Sequence, residues 1–188
     1  MQLEEVKKLM KETRHAMDQS LDHLRKELIK VKAGKATPAM IDGVLVNYYG
    51  SPTPLNQVSN VTTSDAKTLV IQPWEKNLLP EIEKAIFEAN LGVTPMNDGE
   101  VVRLNIPPLT EERRRDLVKG VKELGEEAKV SLRSVRQKTM GTIKDAVKNG
   151  FPEDHGKRLE GEVQEMITDY SKKVDEIVDA KDTEIMTV

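Results

Sequence analysis

The chain contains no cysteine, a single tryptophan, only 3% aromatic residues and no long apolar run. The missing cysteine excludes disulfides, thiolate metal sites and cysteine nucleophiles together, and suits a reducing compartment. With so few rings, any core must be built from Leu, Val, Ile, Met and Ala, which favours a helical bundle over a thick globule. No segment approaches the roughly 18–20 apolar residues of a membrane span. The start, Met1-Gln2-Leu3-Glu4-Glu5, is acidic and runs into a charged amphipathic stretch, unlike a secretory signal or an Arg-rich transit peptide. The expectation is a soluble cytoplasmic protein with no membrane partner, in which the triplet Asn60-Val61-Thr62 carries no glycan.

Catalytic patterns are also lacking. His15, His23 and His155 have no metal-ligand spacing and no neighbouring motif to orient a base. Gly34-Lys35 lacks the upstream glycine of a phosphate loop, because Ile29 stands there. The acidic residues read as solvated helix faces, and Trp74 reads as a packing residue. The sequence therefore predicts no enzyme, catalytic residue, metal or cofactor, and nothing calls for an oligomer, so a monomer is expected.

What is present is charge in blocks and a helical period. Of 188 residues, 32% are charged and the net charge is −3, which gives no hint of a polyanionic partner. The distribution does: residues 110–149 hold 11 Lys or Arg against 7 Asp or Glu, whereas residues 152–188 hold 5 against 11. Opposite signs on consecutive segments imply two helices with different outer faces.

Three segments repeat apolar residues at spacings of three and four: Val6 to Val31, Leu117 to Val147 and Leu159 to Ile177. The first helix is predicted over about 2–31. Thr110, with Glu111 and Glu112 behind it, marks the start of the second; Gly150 stops it, and Pro152 takes the first position of the third. Three such seams bury one another best as an antiparallel bundle.

Between 32 and 108 the period changes. Val44–Tyr49, Gln57–Thr63, Thr68–Ile71 and Val101–Ile106 read as short strands, Pro80–Asn90 as one helix, and Gly50-Ser51-Pro52-Thr53-Pro54 and Asn97-Asp98-Gly99 as turns. The fold class is thus α+β: an elongated antiparallel three-helix bundle (1–31 plus 109–188) with a small, mostly β domain (32–108) inserted between its first and second helices. The connections, about 32–38 and 105–108, form a semi-rigid hinge marked by Gly34, Pro38, Pro107 and Pro108.

On a helical wheel Arg115, Lys122, Lys129, Arg133 and Arg136 fall within about 60° of one another, interrupted by Glu126. Their centre lies roughly 120° from the apolar seam, so a basic stripe faces outward while the core is satisfied. Cations along a rod match phosphates along an RNA helix, and a structured RNA read through its backbone needs no aromatic stripe. The plainer reading is a solvated face with local ion pairs, such as Glu126 with Lys129.

Four strings decide between these readings: Lys35-Ala36-Thr37-Pro38 through Asp42-Gly43, Tyr48–Leu55, Glu83–Ile86 and Arg103–Arg115. In order and spacing they resemble the bacterial ribosome recycling factors over nearly the whole chain. The resemblance implies an L-shaped, non-catalytic protein that enters the post-termination ribosome and, with elongation factor G and its GTP hydrolysis, promotes separation of the subunits. It implies a bundle lying along large-subunit ribosomal RNA and a smaller domain that swings about the hinge. It further implies RNA contacts at Lys35, Arg114, Arg133 and Arg136, the last foremost.

The chain departs from the family at Lys32-Ala33-Gly34-Lys35, where Arg-Thr-Gly-Arg is usual, and after Arg136, where Gln137, Lys138, Thr139 and Met140 replace an Arg-Asp-Ala-Asn run. The rival classes are a basic helical-bundle RNA-binding or coiled-coil interaction module without splitting activity, and a DNA-binding bundle. Neither explains an inserted domain on paired stiff connections, and no DNA partner is expected.

Overall fold

The computed structural model describes residues 2–187. They fall into two compact units, one running to Ala33 and resuming at Glu111, the other from Gly34 to Thr110. The first is built from α1 (Leu3–Lys30), α4 (Glu111–Lys148) and α5 (Glu153–Met186). The second contains β1 (Leu45–Tyr48), β2 (Ser51–Pro54), the one-turn helix α2 (Leu55–Val58), β3 (Ser59–Asp65), β4 (Thr68–Pro73), α3 (Leu79–Glu88), β5 (Pro95–Asn97) and β6 (Val102–Asn105).

In the helical unit the three-and-four spacing becomes a buried seam. Met17, Leu21, Leu24 and Leu28 of α1 pack with Val121, Ala128 and Leu132 of α4 and with Ile167, Tyr170, Val174 and Ile185 of α5. Ile185 is fully buried, so the α5 seam continues two turns beyond Ile177. A second cluster, Ile143, Leu159 and Val163, is closed by Val6 and Phe151. A polar layer separates the two clusters. The hydroxyls of Thr13 and Thr139 lie 2.8 Å apart in the interior, and Thr13 Oγ1 donates to the Leu9 carbonyl at 2.8 Å. Two α1 turns on, Ser20 and Ser131 repeat the contact at 2.8 Å. Hydroxyl pairs seven residues apart on α1 and eight apart on α4 match the antiparallel register, and a slip would leave the buried Thr139 hydroxyl without its partner.

The α4–α5 turn is a Schellman motif. Gly150, at φ +95°, donates to the Val147 carbonyl, and Phe151 donates to that of Ala146. Pro152 is corrected from the first helical position to the N-cap: its ψ of 129° is extended, while its carbonyl already accepts from Gly156 N–H at 3.0 Å. Two glycines then bring the helices close. A Cβ on Gly125 would stand 2.7 Å from Val178 Cγ2, and one on Gly156 would stand 2.6 Å from Val147 Cγ2.

The second unit is a four-stranded antiparallel sheet in the order β3-β4-β6-β5, with α3 and the separate β1–β2 hairpin sharing its core. Leu69 and Ile71 of β4, Val102 and Leu104 of β6, and Ile82 and Ile86 of α3 are buried together with Val46 and Leu55. Strand alternation is visible on β6, where Val102 and Leu104 point in and Arg103 and Asn105 point out.

The structure corrects several boundaries here. Ser51–Pro54 is a strand and not a turn; the turn is Tyr49-Gly50, both at positive φ (49° and 82°), as a two-residue hairpin loop requires. Gln57 and Val58, the first two residues of the expected Gln57–Thr63 strand, are helical instead, because Leu55 and Val58, three apart, both bury on one helical turn. β5 adds a strand that the sequence reading lacks. Trp74, expected to pack, is 69% exposed.

Candidate RNA-binding face and the paired connections

The cations of α4 divide by where the seam runs. Arg136 and Lys129 stand on the stripe edge nearest the apolar face, and both are laid against α5. Arg136 Nη1 donates to Gln164 Oε1 at 3.2 Å, and Lys129 Nζ lies 2.7 Å from Asp175 Oδ1. The expectation that Arg136 faces clear of the seam is therefore corrected to a half-buried position beside α5. Lys129 is paired across the helices, not locally with Glu126. Lys122, one heptad before Lys129, is exposed and acts on Asp182. Burial pushes the Asp182 carboxyl above its ordinary range; Lys122 pulls it down and Asp179 pushes it further up. The acidic helix thus supplies counter-charges to one edge of the basic stripe.

On the open edge the picture differs. Arg133 is exposed and has no side-chain partner among the described residues. Lys119 and Lys144, which the stripe omitted, lie within roughly 40° of one another and of Arg133 on the wheel and are exposed and unpaired in the same sense. Their signal was in the sequence: spacings of 14 and 11 residues are close to whole numbers of turns. Arg115 is exposed and held by Glu111 at 2.5 Å one turn earlier. Arg114 sits within about 20° of the seam centre, which leaves it half-buried with its Nε buried and without an acceptor among the described residues.

Lys35 lies on the first connection, in the other unit from α4, and is exposed. The two connections are fastened to one turn. Ala36 N–H donates to the Ala66 carbonyl and Ile106 N–H to the adjacent Lys67 carbonyl, each at 2.8 Å. Gly34, at φ +74°, meets Leu109 so closely that a Cβ would fall 2.9 Å from its Cγ. Pro107 and Pro108 are exposed and outside any helix or strand, whereas Pro38 begins a 3-10 turn over Pro38–Ile41 inside the smaller unit. Among the described residues no group of three or more His, Asp or Glu could hold a metal ion, and no helix is long and apolar enough to cross a membrane.

A long three-helix bundle interrupted after its first helix by an antiparallel sheet unit, with cations along its middle helix, defines a narrow structural class. The sequence profile of the ribosome recycling factor family matches residues 24–186. The chain is 48% identical over 183 residues to the ribosome-recycling factor of Desulforamulus reducens, covering 97% of this chain and all of that one. It is 50% identical over 185 residues to that of Flavobacterium johnsoniae, covering 98% and 99%. Among solved structures, a solution structure of the ribosome recycling factor superposes with a TM-score of 0.78 at 34% identity, covering both chains completely. The second similar structure comprises models for the T. thermophilus ribosome recycling factor and the E. coli elongation factor G bound to the E. coli post-termination complex. It superposes with a TM-score of 0.63 at 41% identity, over 97% of this chain and 99% of the other. The chain belongs to the ribosome recycling factor family.

Proposed function

We propose that this protein binds the post-termination ribosome and, with elongation factor G and the GTP hydrolysis of that factor, promotes separation of the subunits. It acts in the cytoplasm as a monomeric, non-catalytic factor. The observation that carries the reading is the open row Lys119, Arg133 and Lys144 on α4, a helix whose opposite side is committed to the core. At 38 residues and 1.5 Å per residue, α4 offers about 57 Å of surface along which to meet RNA phosphates. The similar structure with elongation factor G on the post-termination complex supports the choice of partners.

Within this reading large-subunit ribosomal RNA meets Arg133 first, with Lys119 and Lys144 beside it, Arg136 and Lys129 at the α5 edge, and Arg114, Arg115, Lys122 and Lys35 further out. The two units act as separate bodies joined at a hinge. Gly34, Pro107 and Pro108 limit its rotation, and Pro38 anchors the incoming strand of chain. Light scattering of post-termination ribosomes mixed with elongation factor G and GTP tests the proposal. A drop in scattering that requires this protein is expected, slowed by Arg133→Ala. No drop with a factor from the same organism would overturn it in favour of a binding module without splitting activity.

A further inference from the structure

The smaller unit holds one carboxylate in an unusual setting. Glu75 directly follows the loop residue Trp74, whose backbone N–H is pinned to the Val58 carbonyl at 3.0 Å. Tyr49 donates its hydroxyl to Glu75 Oε2 at 2.8 Å, and Tyr48 donates to Oε1 at 3.3 Å. The two rings meet edge to face with centroids 4.7 Å apart, which fixes both phenols against the β1–β2 hairpin. The result is a half-buried carboxylate oriented by two neutral donors. No cation faces it among the described residues; the adjacent Lys76 reaches Glu100 at 3.5 Å instead.

A carboxylate has about four acceptor positions, so two remain after the phenols are counted. The Tyr49 ring that reaches it is 73% exposed, and Trp74, which precedes Glu75 in the chain, is 69% exposed. Exposed rings beside a fixed, uncompensated carboxylate match a planar cation, which can hydrogen-bond in its plane and stack on its face. We propose that Tyr48, Tyr49, Trp74 and Glu75 form a receptor for an arginine side chain presented by a partner protein. The charge of the unit agrees. Residues 34–110 carry five Lys or Arg against eight Asp or Glu, a balance that draws a basic protein surface and repels nucleic-acid phosphate. Aromatic stacking of an unpaired base would place its phosphates near Glu75, and for that reason the protein partner is favoured. The proposal is independent of the cation row on α4.

Trp74 is the only tryptophan and precedes Glu75 in the chain, so its fluorescence in the full chain reports on the surroundings of Glu75. The probe is an acetylated, amidated Gly-Arg-Gly tripeptide, compared with the same peptide carrying the isosteric but uncharged citrulline. A saturable change with the arginine peptide is expected, at least about tenfold tighter than with citrulline, since the charged bond is lost. Glu75→Gln keeps the shape, accepting one phenol on its amide oxygen and donating its N–H to the hydroxyl oxygen of the other, so it leaves the fold intact while abolishing the discrimination. Tyr49→Phe frees one carboxylate oxygen from its support and weakens the arginine response by a few fold. Equal responses to the two peptides, or no saturable response to either, would overturn the proposal. So would quenching by a single-stranded oligouridine that strengthens in Glu75→Gln, which would assign the rings to RNA.

Discussion

Lys129 Nζ sits 2.7 Å from Asp175 Oδ1 across the α4–α5 seam, so a cation of the basic stripe is neutralised by the acidic helix beside it. The Lys129 side chain is 23% exposed and that of Asp175 is 60% exposed. Exposed pairs of this kind contribute only ~0–1 kcal/mol to stability, but they screen a charge from any third partner. Asp175→Asn is therefore expected to leave the melting temperature nearly unchanged. It should also tighten binding to large subunits about two- to fivefold at low salt, with the gain fading as salt rises. Cosedimentation at two salt concentrations checks this, and an unchanged affinity would place Lys129 outside the RNA contact.

Arg133 and Arg136, one turn apart, should separate binding from stability. Arg133 is exposed and makes no side-chain hydrogen bond or ion pair among the described residues. Arg133→Ala should leave denaturant unfolding unchanged and lower the log–log salt slope of ribosome binding by about 0.7–0.9, the share of one phosphate contact. Arg136 bridges to Gln164, so Arg136→Ala should lose about 0.5–1.5 kcal/mol of stability with that bond, besides any loss in binding. Equal stability of the two variants would show that the bridge to α5 is not maintained in solution.

These two residues also mark the limit of what a helical wheel reveals. Met17, Leu21, Leu24 and Leu28 announced their seam because a helix buries one stripe at a period of 3.6. The same wheel placed Arg133 and Arg136 in a single stripe, but the side on which α5 lies depends on packing between helices, which one helix's period does not encode. β2 was illegible for a different reason. Pro52 and Pro54 signal a turn, yet opposite Asn47 and Leu45 they occupy the non-hydrogen-bonded positions of the hairpin, where a missing N–H removes no ladder bond. The carboxylate of Glu75 gave no local signal, since its phenol partners are 26 and 27 residues away.

Gly34 combines two constraints that a substitution can take apart. Its φ of +74° is strained for any residue with a Cβ, and that Cβ would also press on Leu109 Cγ at 2.9 Å. Gly34→Ala should cost about 1–2 kcal/mol from the backbone alone, with a further contribution from the clash. In the Leu109→Ala background the clash disappears and only the backbone part remains, so the same glycine substitution should cost less there. A double-mutant cycle by urea unfolding measures the difference. Additive effects would mean that the two connections do not touch at this point.

Tyr170 provides an alkaline signature of the bundle. Its ring is buried on α5, its hydroxyl donates to Asp18 of α1, and the Lys173 ammonium lies 4.7 Å from the ring centroid. Burial first, then the hydrogen bond and charge of Asp18, push its pKa from 10.0 up to about 12, against a weaker opposing effect of Arg14. Below pH 10 folded and unfolded chains both hold the proton and the full contribution is present. Between about 10 and 12 the unfolded chain releases it first, so stability falls as pH rises through that window, by about 2 kcal/mol in all. Tyr170→Phe lacks the titrating group, and its stability deficit relative to the parent should shrink by about that amount between pH 9.5 and 12. Lys173→Met serves as a control that removes the cation over the ring while keeping the Tyr170–Asp18 bond. Urea unfolding across this range decides the matter: a deficit that stays constant with pH would mean that Tyr170 and Asp18 are not bonded in the folded protein.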